Sequence, residues 1–224
     1  SFFLIGWDRD DEEAVKRATQ AFVTTGLGGL SFLGGVLLLG DATGSWRWSG
    51  LVTGASDIGS GGTIVAAFIL IFIGAASKSA QWPFHYWLPG AMLAPTPVSA
   101  YLHSATMVKA GVYLLARLNS SMDGDALWSN SLMFFGAATM LTGAYLAFSS
   151  TGIKKVLAYS TVMALGTLTM LIGIGTEKAI IAFVCVLVAH SLYKGALFML
   201  ANAIWLIPMP RDALLLHAHI GFVG

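Results

Sequence analysis

The stretch from Lys78 to Leu118, KSAQWPFHYWLPGAMLAPTPVSAYLHSATMVKAGVYLLARL, decides the fold because it sets charges and helix breakers inside apolar sequence. Lys78 and Lys109 each interrupt a run that is otherwise apolar enough to cross a bilayer, and His103 precedes the second lysine. A charge at bilayer depth costs about 2.5–3.5 kcal/mol on insertion scales, so it is normally there for a purpose. That purpose is usually the movement of ions or protons.

The composition places the chain in a membrane. Of its 224 residues, 56% are hydrophobic and only 10% are charged, and the mean hydropathy is +0.76. A soluble domain would need far more charged surface. The formal net charge of +1 excludes a basic field for nucleic acid and an acidic tail that would collect cations. The sequence has a single cysteine, Cys185, which excludes a disulfide within the chain and a Cys-rich metal site. Because Cys185 lies in an apolar run, we predict that it is a packing residue.

Windows of about 20 residues, the length that crosses a bilayer, predict six spans. They are Ala18 to Leu39, Gly62 to Ala80, Val98 to Leu118, Leu132 to Phe148, Val156 to Ile174 and Ala179 to Ile207. We therefore predict an all-α, polytopic transmembrane helix bundle with discontinuous helices, forming a single domain over residues 1–224. Residues 1–17 are expected to be the end of an upstream helix followed by a loop, because the apolar stub is too short for a signal peptide.

The basic residues predict an orientation, because cytoplasmic loops carry the excess of Lys and Arg. One set of alternate loops carries Arg9, Lys16, Arg17, Lys154, Lys155 and Arg211, and the other carries Arg47, Arg117 and Lys178. The first set is therefore predicted to be cytoplasmic. All seven tryptophans fall near predicted span ends, as an interfacial aromatic belt would require.

The second span contains a predicted break. Pro83 lacks a backbone N–H and clashes with the carbonyl of Ser79, so the helix should break beside Lys78. Non-helical backbone at bilayer depth survives only inside protein or beside a water-filled cavity, which favours a discontinuous helix that lines hydrated space. The alternative is a lysine that snorkels to the interface. The proline-rich segment that follows predicts a short re-entrant or surface piece, with His85 as an interfacial polar residue rather than a ligand.

Histidine and lysine recur together in two spans. His103 stands six residues before Lys109, and His190 stands four residues before Lys194, where the two share one helix face. Histidine changes charge near neutrality, so a histidine beside a lysine can pass a proton. The alternative for Lys109 is a permanent ion pair with a carboxylate from another helix. Lysine is not a usual metal ligand and no acid or cysteine completes a site, so we predict no metal, no cofactor and no nucleophilic catalysis.

The stretch from Lys78 to Leu118, with TGIKKVLAYSTVMALG and HSLYKGALFML further on, resembles the antiporter-like proton-translocating subunits. These are the large membrane subunits shared by respiratory complex I and the multisubunit Mrp-type cation/proton antiporters. The sequence SAYLHSATMVKAG is most similar to that of the A-type subunit of the Mrp antiporter, since the complex I relative usually has a neutral residue where Lys109 stands. The resemblance implies part of an inverted-repeat antiporter-like fold, with the first repeat nearly complete and the second begun.

The resemblance also implies proton-transfer roles. Lys78 matches the lysine at a broken helix that accepts a proton and responds to a glutamate on the preceding helix. His103 and Lys109 match the histidine and the bridging lysine of the next broken helix. His190 and Lys194 match the pair that passes protons toward a second half-channel. The implied protein is a non-enzymatic component of a multisubunit Na+/H+ antiporter in the bacterial cell membrane, with sister subunits, protons and Na+ as its partners.

The sequence departs from the family pattern in places. The glutamate partner of Lys78 should lie upstream of Ser1, so the stretch by itself should not pump. Gly90 and Leu93 stand where relatives commonly have a carboxamide or an acid, which puts a loop interaction there in doubt. The sequence after Ala201 also differs, and residues 208–224 are expected to form a divergent tail.

Two other functions remain open at the level of sequence. One is a proton-pumping membrane subunit of NADH:quinone oxidoreductase (complex I) or of a related membrane-bound hydrogenase, which genomic neighbours would distinguish from an antiporter. The other is a scaffold of the same fold that transports nothing.

Overall fold

The structure is a computed structural model, and it describes residues 2–51, 54, 61–104, 107–119 and 126–206, the side chains of residues 205 and 206 excepted. Over these residues it is helical and contains no strand, which confirms the predicted all-α fold. The helices are α1 (Phe2–Ile5), α2 (Glu12–Thr43), α3 (Gly62–Lys78), α4 (Trp87–Gly90), α5 (Thr96–Ser104), α6 (Met107–Asn119), α7 (Ala126–Phe148), α8 (Ile153–Ile174) and α9 (Glu177–Leu206). Short 3-10 turns at Phe84–Tyr86 and Ala91–Leu93 flank α4.

Four helices of the described part are long and apolar enough to cross a membrane: α2, α7, α8 and α9 over Glu177–Ile204. α3 is a shorter apolar helix of 17 residues. These helices correspond to five of the six predicted spans. The remaining predicted span, Val98 to Leu118, is described in two parts, α5 and α6, and residues 105 and 106 between them lie outside the described part.

α2 begins at a cap that the sequence provides. The side chain of Asp11 accepts a hydrogen bond of 2.9 Å from the backbone N–H of Glu13, which satisfies a donor that the first turn leaves free. One side of α2 packs on α3, and Gly35 allows the close approach: a Cβ there would lie 2.6 Å from the carbonyl oxygen of Ala67. Gly29, by contrast, has nothing within 4 Å of such a Cβ, so only some glycines of this span face a neighbouring helix.

α7 and α8 pack through glycines on both helices. A Cβ on Gly136 would lie 2.5 Å from the backbone nitrogen of Met170, and a Cβ on Gly173 would lie 2.7 Å from that of Met133. Small residues of this kind let two backbones approach closely in a membrane. α8 also packs against α9.

The predicted break after Lys78 is confirmed. α3 ends at Lys78, and the N–H of Ser79 closes the last turn on the carbonyl of Ala75 at 2.9 Å. Ala80 then takes a left-handed conformation, with φ of 47°, and a cis peptide bond joins Trp82 to Pro83. The chain continues through short turns and α4 rather than through one regular helix, as the prolines predicted.

Two predictions about single residues are wrong. Trp87 is fully buried and does not belong to an interfacial belt, because its ring fills the space beside the end of α3. Cys185 lies on an exposed face of α9 instead of packing inside the described bundle. His85 is half-buried beside α4. The side chain of Trp205 and all of residues 208–224 lie outside the described residues.

Candidate functional site

Lys109 bonds to the end of the preceding helix. α5 ends at Ser104, and Lys109 stands in the first turn of α6, where its Nζ donates a hydrogen bond to the carbonyl oxygen of Ser104. The last carbonyls of a helix have no partner inside that helix, so they can accept from a side chain. The carbonyl of Ser104 thus supplies a backbone acceptor for a buried ammonium group.

Lys109 also joins α6 to α9. Its Nζ donates a second hydrogen bond to Oγ of Ser191, and only 6% of the residue is exposed. The predicted alternative, a permanent ion pair with a carboxylate, is absent from the described residues. Neutral oxygens alone hold this lysine there.

Lys194 is held in the same way by another helix. Its Nζ donates to the carbonyl oxygen of Leu157 at 3.0 Å and to Oγ of Ser160, both on α8. Only 2% of Lys194 is exposed. Burying an ammonium is costly unless its donors are satisfied, and these two oxygens reduce that cost.

The two histidines are buried with free bonding capacity. Neither ring nitrogen of His103 or of His190 has a hydrogen-bond partner within the described part of the chain. The ring of His103 lies 5.1 Å from that of Phe198, and the ring of His190 lies 5.3 Å from that of Tyr193. A neutral imidazole carries one donor and one acceptor, so each ring can take up and release a proton.

These groups form one cluster. His103 interacts electrostatically with Lys194 and His190. His190 in turn interacts with both lysines. We call His103, Lys109, His190 and Lys194 the buried Lys/His cluster. Because their protonated forms repel one another, a proton that arrives on one member disfavours a proton on its neighbour.

Lys78 stands apart from the buried Lys/His cluster. It is the last residue of α3, it is half-buried, and no hydrogen bond or ion pair joins it to another residue of the described part. The helix end beside it still touches α6, where the N–H of Val112 donates to Oγ of Ser79 at 2.9 Å. The structure therefore brings four of the five predicted site residues together, whereas Lys78 stands at the end of α3, next to the contact between Ser79 and Val112 of α6.

Two site residues were missed in the sequence. Ser191 precedes Lys194 by three residues, so the two share a helix face, and that spacing could have identified Ser191. Ser160 gave no such signal, because it lies on α8 and meets Lys194 only through the packing of α8 against α9. The hydroxyl of Ser104 bonds to the carbonyl of Ala100 at 2.6 Å, while Thr106 lies outside the described residues.

No metal site is evident where the structure describes the chain: no three His, Cys, Asp or Glu side chains meet there. A separate apolar cavity of about 480 Å³ lies between α3, the turn after it and α7. None of its lining residues in the described part is titratable, and its walls include Phe72, Trp82, Trp128 and Phe135. The groups of the candidate site are therefore the buried Lys/His cluster and Lys78, side chains that can bind and release a proton.

Comparison with known proteins identifies a family and several relatives of the chain. The family model described as NADH:quinone oxidoreductase/Mrp antiporter, TM, matches residues 1–214. The A/B-type subunit of a probable K(+)/H(+) antiporter of Rhizobium meliloti is 43% identical over 204 residues, which are 91% of this chain and 20% of that protein. The A-type subunit of a Na(+)/H(+) antiporter of Alkalihalophilus pseudofirmus is 41% identical over 218 residues, which cover 91% of this chain and 27% of that protein.

Two solved structures are similar as well. A chain of the Mrp complex from Dietzia sp. DQ12-45-1b matches with a TM-score of 0.83 and 38% identity, over 88% of this chain and 22% of that one. A chain of the membrane-bound sulfane sulfur reductase, an archaeal respiratory membrane complex, matches with a TM-score of 0.81 and 27% identity, over 88% of this chain and 41% of that one.

The chain spans about a fifth to a quarter of the length of these curated relatives. The resemblance to antiporter-like subunits, and to the A-type subunit in particular, is confirmed, and so is the prediction of a multi-pass protein of the bacterial cell membrane. The chain belongs to the NADH:quinone oxidoreductase/Mrp antiporter transmembrane family, and the two curated relatives that it resembles are named as antiporter subunits.

Proposed function

We propose that this stretch is the proton-conducting part of one subunit of a multisubunit monovalent cation/proton antiporter. The observation that carries the proposal is the buried Lys/His cluster, in which side chains from α5, α6 and α9 interact with no carboxylate in contact within the described residues. Ionisable groups at bilayer depth are expensive, and they mark ion and proton pathways. Four of them, linked in pairs through the two histidines, are the steps of the proposed relay.

The relay works through repulsion between neighbours. A proton that enters at Lys78 passes toward His103 and Lys109. Each arriving charge lowers the proton affinity of its neighbour, so the neighbour releases the proton it already holds onward, toward His190 and Lys194. Lys78 is the proposed entry because it ends a helix at the break and is only half-buried. Its charge would be controlled by an acidic residue outside this chain, as the family resemblance implies.

The coupled ion and the partners belong to the proposal too. The two curated relatives are named as K(+)/H(+) and Na(+)/H(+) antiporter subunits, so a monovalent cation is the proposed counter-ion and Na+ the first to test. Sister subunits of a membrane complex are the proposed partners, as in the Mrp complex whose chain it resembles. No cofactor is proposed.

A second function has a specific observation in its favour. The fold is nearly as similar to a chain of an archaeal respiratory membrane complex as to the Mrp chain, with TM-scores of 0.81 and 0.83. A proton-pumping subunit of complex I or of a related hydrogenase-type complex would use the same relay, driven by redox chemistry in other subunits. The driving force distinguishes the two functions. Proton movement would respond to an added cation gradient in an antiporter and to an added electron donor in a redox-driven pump.

The test uses the full-length subunit in its assembled complex, in membrane vesicles that report internal pH. Lys109→Met and Lys194→Met should each lower Na+- or K+-dependent proton movement at least tenfold, because each variant removes one step of the relay. Lys178→Met is the matched control, since Lys178 is exposed at the start of α9. Normal transport by both cluster variants, with normal assembly, would overturn the proposal.

A further inference from the structure

Each buried lysine of the cluster donates hydrogen bonds to the same two kinds of group, one backbone carbonyl and one serine hydroxyl. Lys109 donates to the carbonyl of Ser104 and to the hydroxyl of Ser191. Lys194 donates to the carbonyl of Leu157 and to its own serine, Ser160. The two sites use different helices, yet they repeat one chemical arrangement.

The carbonyl and the hydroxyl do different things for a lysine. A backbone carbonyl only accepts hydrogen bonds, so it can accept from the N–H groups of either form of lysine but offers no donor to the lone pair of the neutral amine. A serine hydroxyl has one donor and two lone pairs, and its proton rotates to suit its surroundings. It can therefore accept from the ammonium form and donate to the lone pair of the neutral amine.

Each hydroxyl already has a second acceptor that holds its proton while the lysine is charged. Oγ of Ser191 donates to the carbonyl of Leu187 at 2.7 Å, one turn earlier in α9. Oγ of Ser160 donates to the carbonyl of Leu157 at 3.0 Å. When the lysine loses its proton, the hydroxyl can turn from this carbonyl toward the lone pair of the amine.

We propose that Ser191 and Ser160 are positioning residues of the proton path, which hold Lys109 and Lys194 in place in both protonation states by reversing the direction of one hydrogen bond. No covalent bond forms or breaks in this step apart from the proton transfer to or from lysine itself. The lysine stays where its partners can reach it, so successive transfers start from one geometry. This inference deepens the proposed function and rests on it.

The test compares alanine and threonine variants at each serine in the full-length subunit within its complex. Ser191→Ala and Ser160→Ala remove the hydroxyl and should lower cation-dependent proton movement roughly tenfold, the size expected for one hydrogen bond to a charged group. They should also displace the pH profile of transport, because the lost hydroxyl stabilises the two forms of lysine unequally. Ser191→Thr and Ser160→Thr keep the hydroxyl and should restore both the rate and the profile.

The matched control is Thr169→Val. Thr169 is a buried residue of α8 whose hydroxyl bonds to the carbonyl of Leu165 in the preceding turn, at 3.0 Å. Its replacement removes a hydroxyl of the same kind without touching a lysine. Rate and pH profile should both stay at the parent values, and the amount of assembled complex is measured for every variant.

The outcomes separate this inference from the function beneath it. If Ser→Ala variants keep the parent rate and pH profile while Lys109→Met and Lys194→Met lose transport, the positioning role is wrong and the proton path stands. If Ser→Thr variants are as impaired as Ser→Ala variants, the serines act through packing and the inference is again overturned. If the lysine variants also transport normally, the proposed function itself fails.

Discussion

The indole nitrogen of Trp87 donates a hydrogen bond of 3.0 Å to the carbonyl oxygen of Ser77 in the last turn of α3. A carbonyl at this position has no partner inside the helix, so the bond satisfies a group that would otherwise be buried alone. Trp87 is itself fully buried in α4. The contact therefore ties the irregular segment after the break directly to the helix end that carries Lys78.

Trp87→Phe should destabilise the protein by about 1–3 kcal/mol, because it keeps most of the ring but leaves the Ser77 carbonyl unsatisfied. The melting temperature of the purified protein in detergent measures the effect. Trp7→Phe is the control, since Trp7 is 69% exposed and should give the parent value. Equal melting temperatures for the two variants would show that the hydrogen bond adds nothing to stability.

The sequence was informative about Pro83 and misleading about Trp87. A proline in a helix interior acts through its own covalent geometry, so the end of α3 could be predicted from local sequence alone. The burial of Trp87 depends on what lies beside it in three dimensions. A tryptophan near a span end is usually interfacial, and only the return of the chain after the break brings this ring back against α3.

Gly136→Ala should destabilise the packing of α7 on α8 by about 1–3 kcal/mol, the usual cost of overpacking. The added methyl group would meet the backbone of Met170 rather than a flexible side chain. Gly29→Ala is the matched control, because it also lies in a long helix but has nothing within 4 Å of the new methyl group. That control should be neutral or stabilising by up to about 1 kcal/mol. Thermal unfolding measures both effects. If both variants shifted the melting temperature in the same direction, close packing at Gly136 would not be the cause.

Asp11→Ala should cost about 0.5–2 kcal/mol, since it removes the side-chain cap on the first turn of α2. Glu13→Gln breaks the nearby ion pair with Arg17, whose atoms are 2.7 Å apart, yet it should cost only about 0–1 kcal/mol because both side chains are partly in solvent. Denaturation at low salt and at about 0.5 M salt, where surface ion pairs are screened, distinguishes the effect of the cap from that of the ion pair. The cap effect should persist in salt, and a cap effect that vanished there would be electrostatic instead.

The candidate site could be predicted in part, because burying a charge in an apolar span costs free energy and is therefore rare. Lys109 and Lys194 were recognisable because a charge in an apolar span is rare, and the two histidines because they accompany these lysines. Their partners could not be predicted, because Ser160 and Ser191 are ordinary helix residues until the crossing of α8, α9 and α6 brings them to an ammonium group. For the same reason, the separation of Lys78 from the other four was not visible in the sequence.

His103 is the residue at which stability and function should separate. Its side chain is fully buried, and neither ring nitrogen bonds to another group of the described chain. A buried polar group without a partner costs free energy, whereas an apolar group of similar volume in the same place does not. The surroundings are already apolar on one side, where the ring meets Phe198.

His103→Leu should therefore leave the melting temperature unchanged or raise it, while cation-dependent proton movement in vesicles falls at least tenfold, because leucine cannot carry a proton. The control is Leu102→Ala at the neighbouring buried position, which should lower stability by about 2–5 kcal/mol through the cavity it creates. A His103→Leu protein that unfolds as readily as the Leu102→Ala protein would mean that the imidazole has a structural partner. One that is stable and transports at the parent rate would remove His103 from the proton path, since the relay would then proceed without a titratable group at that position.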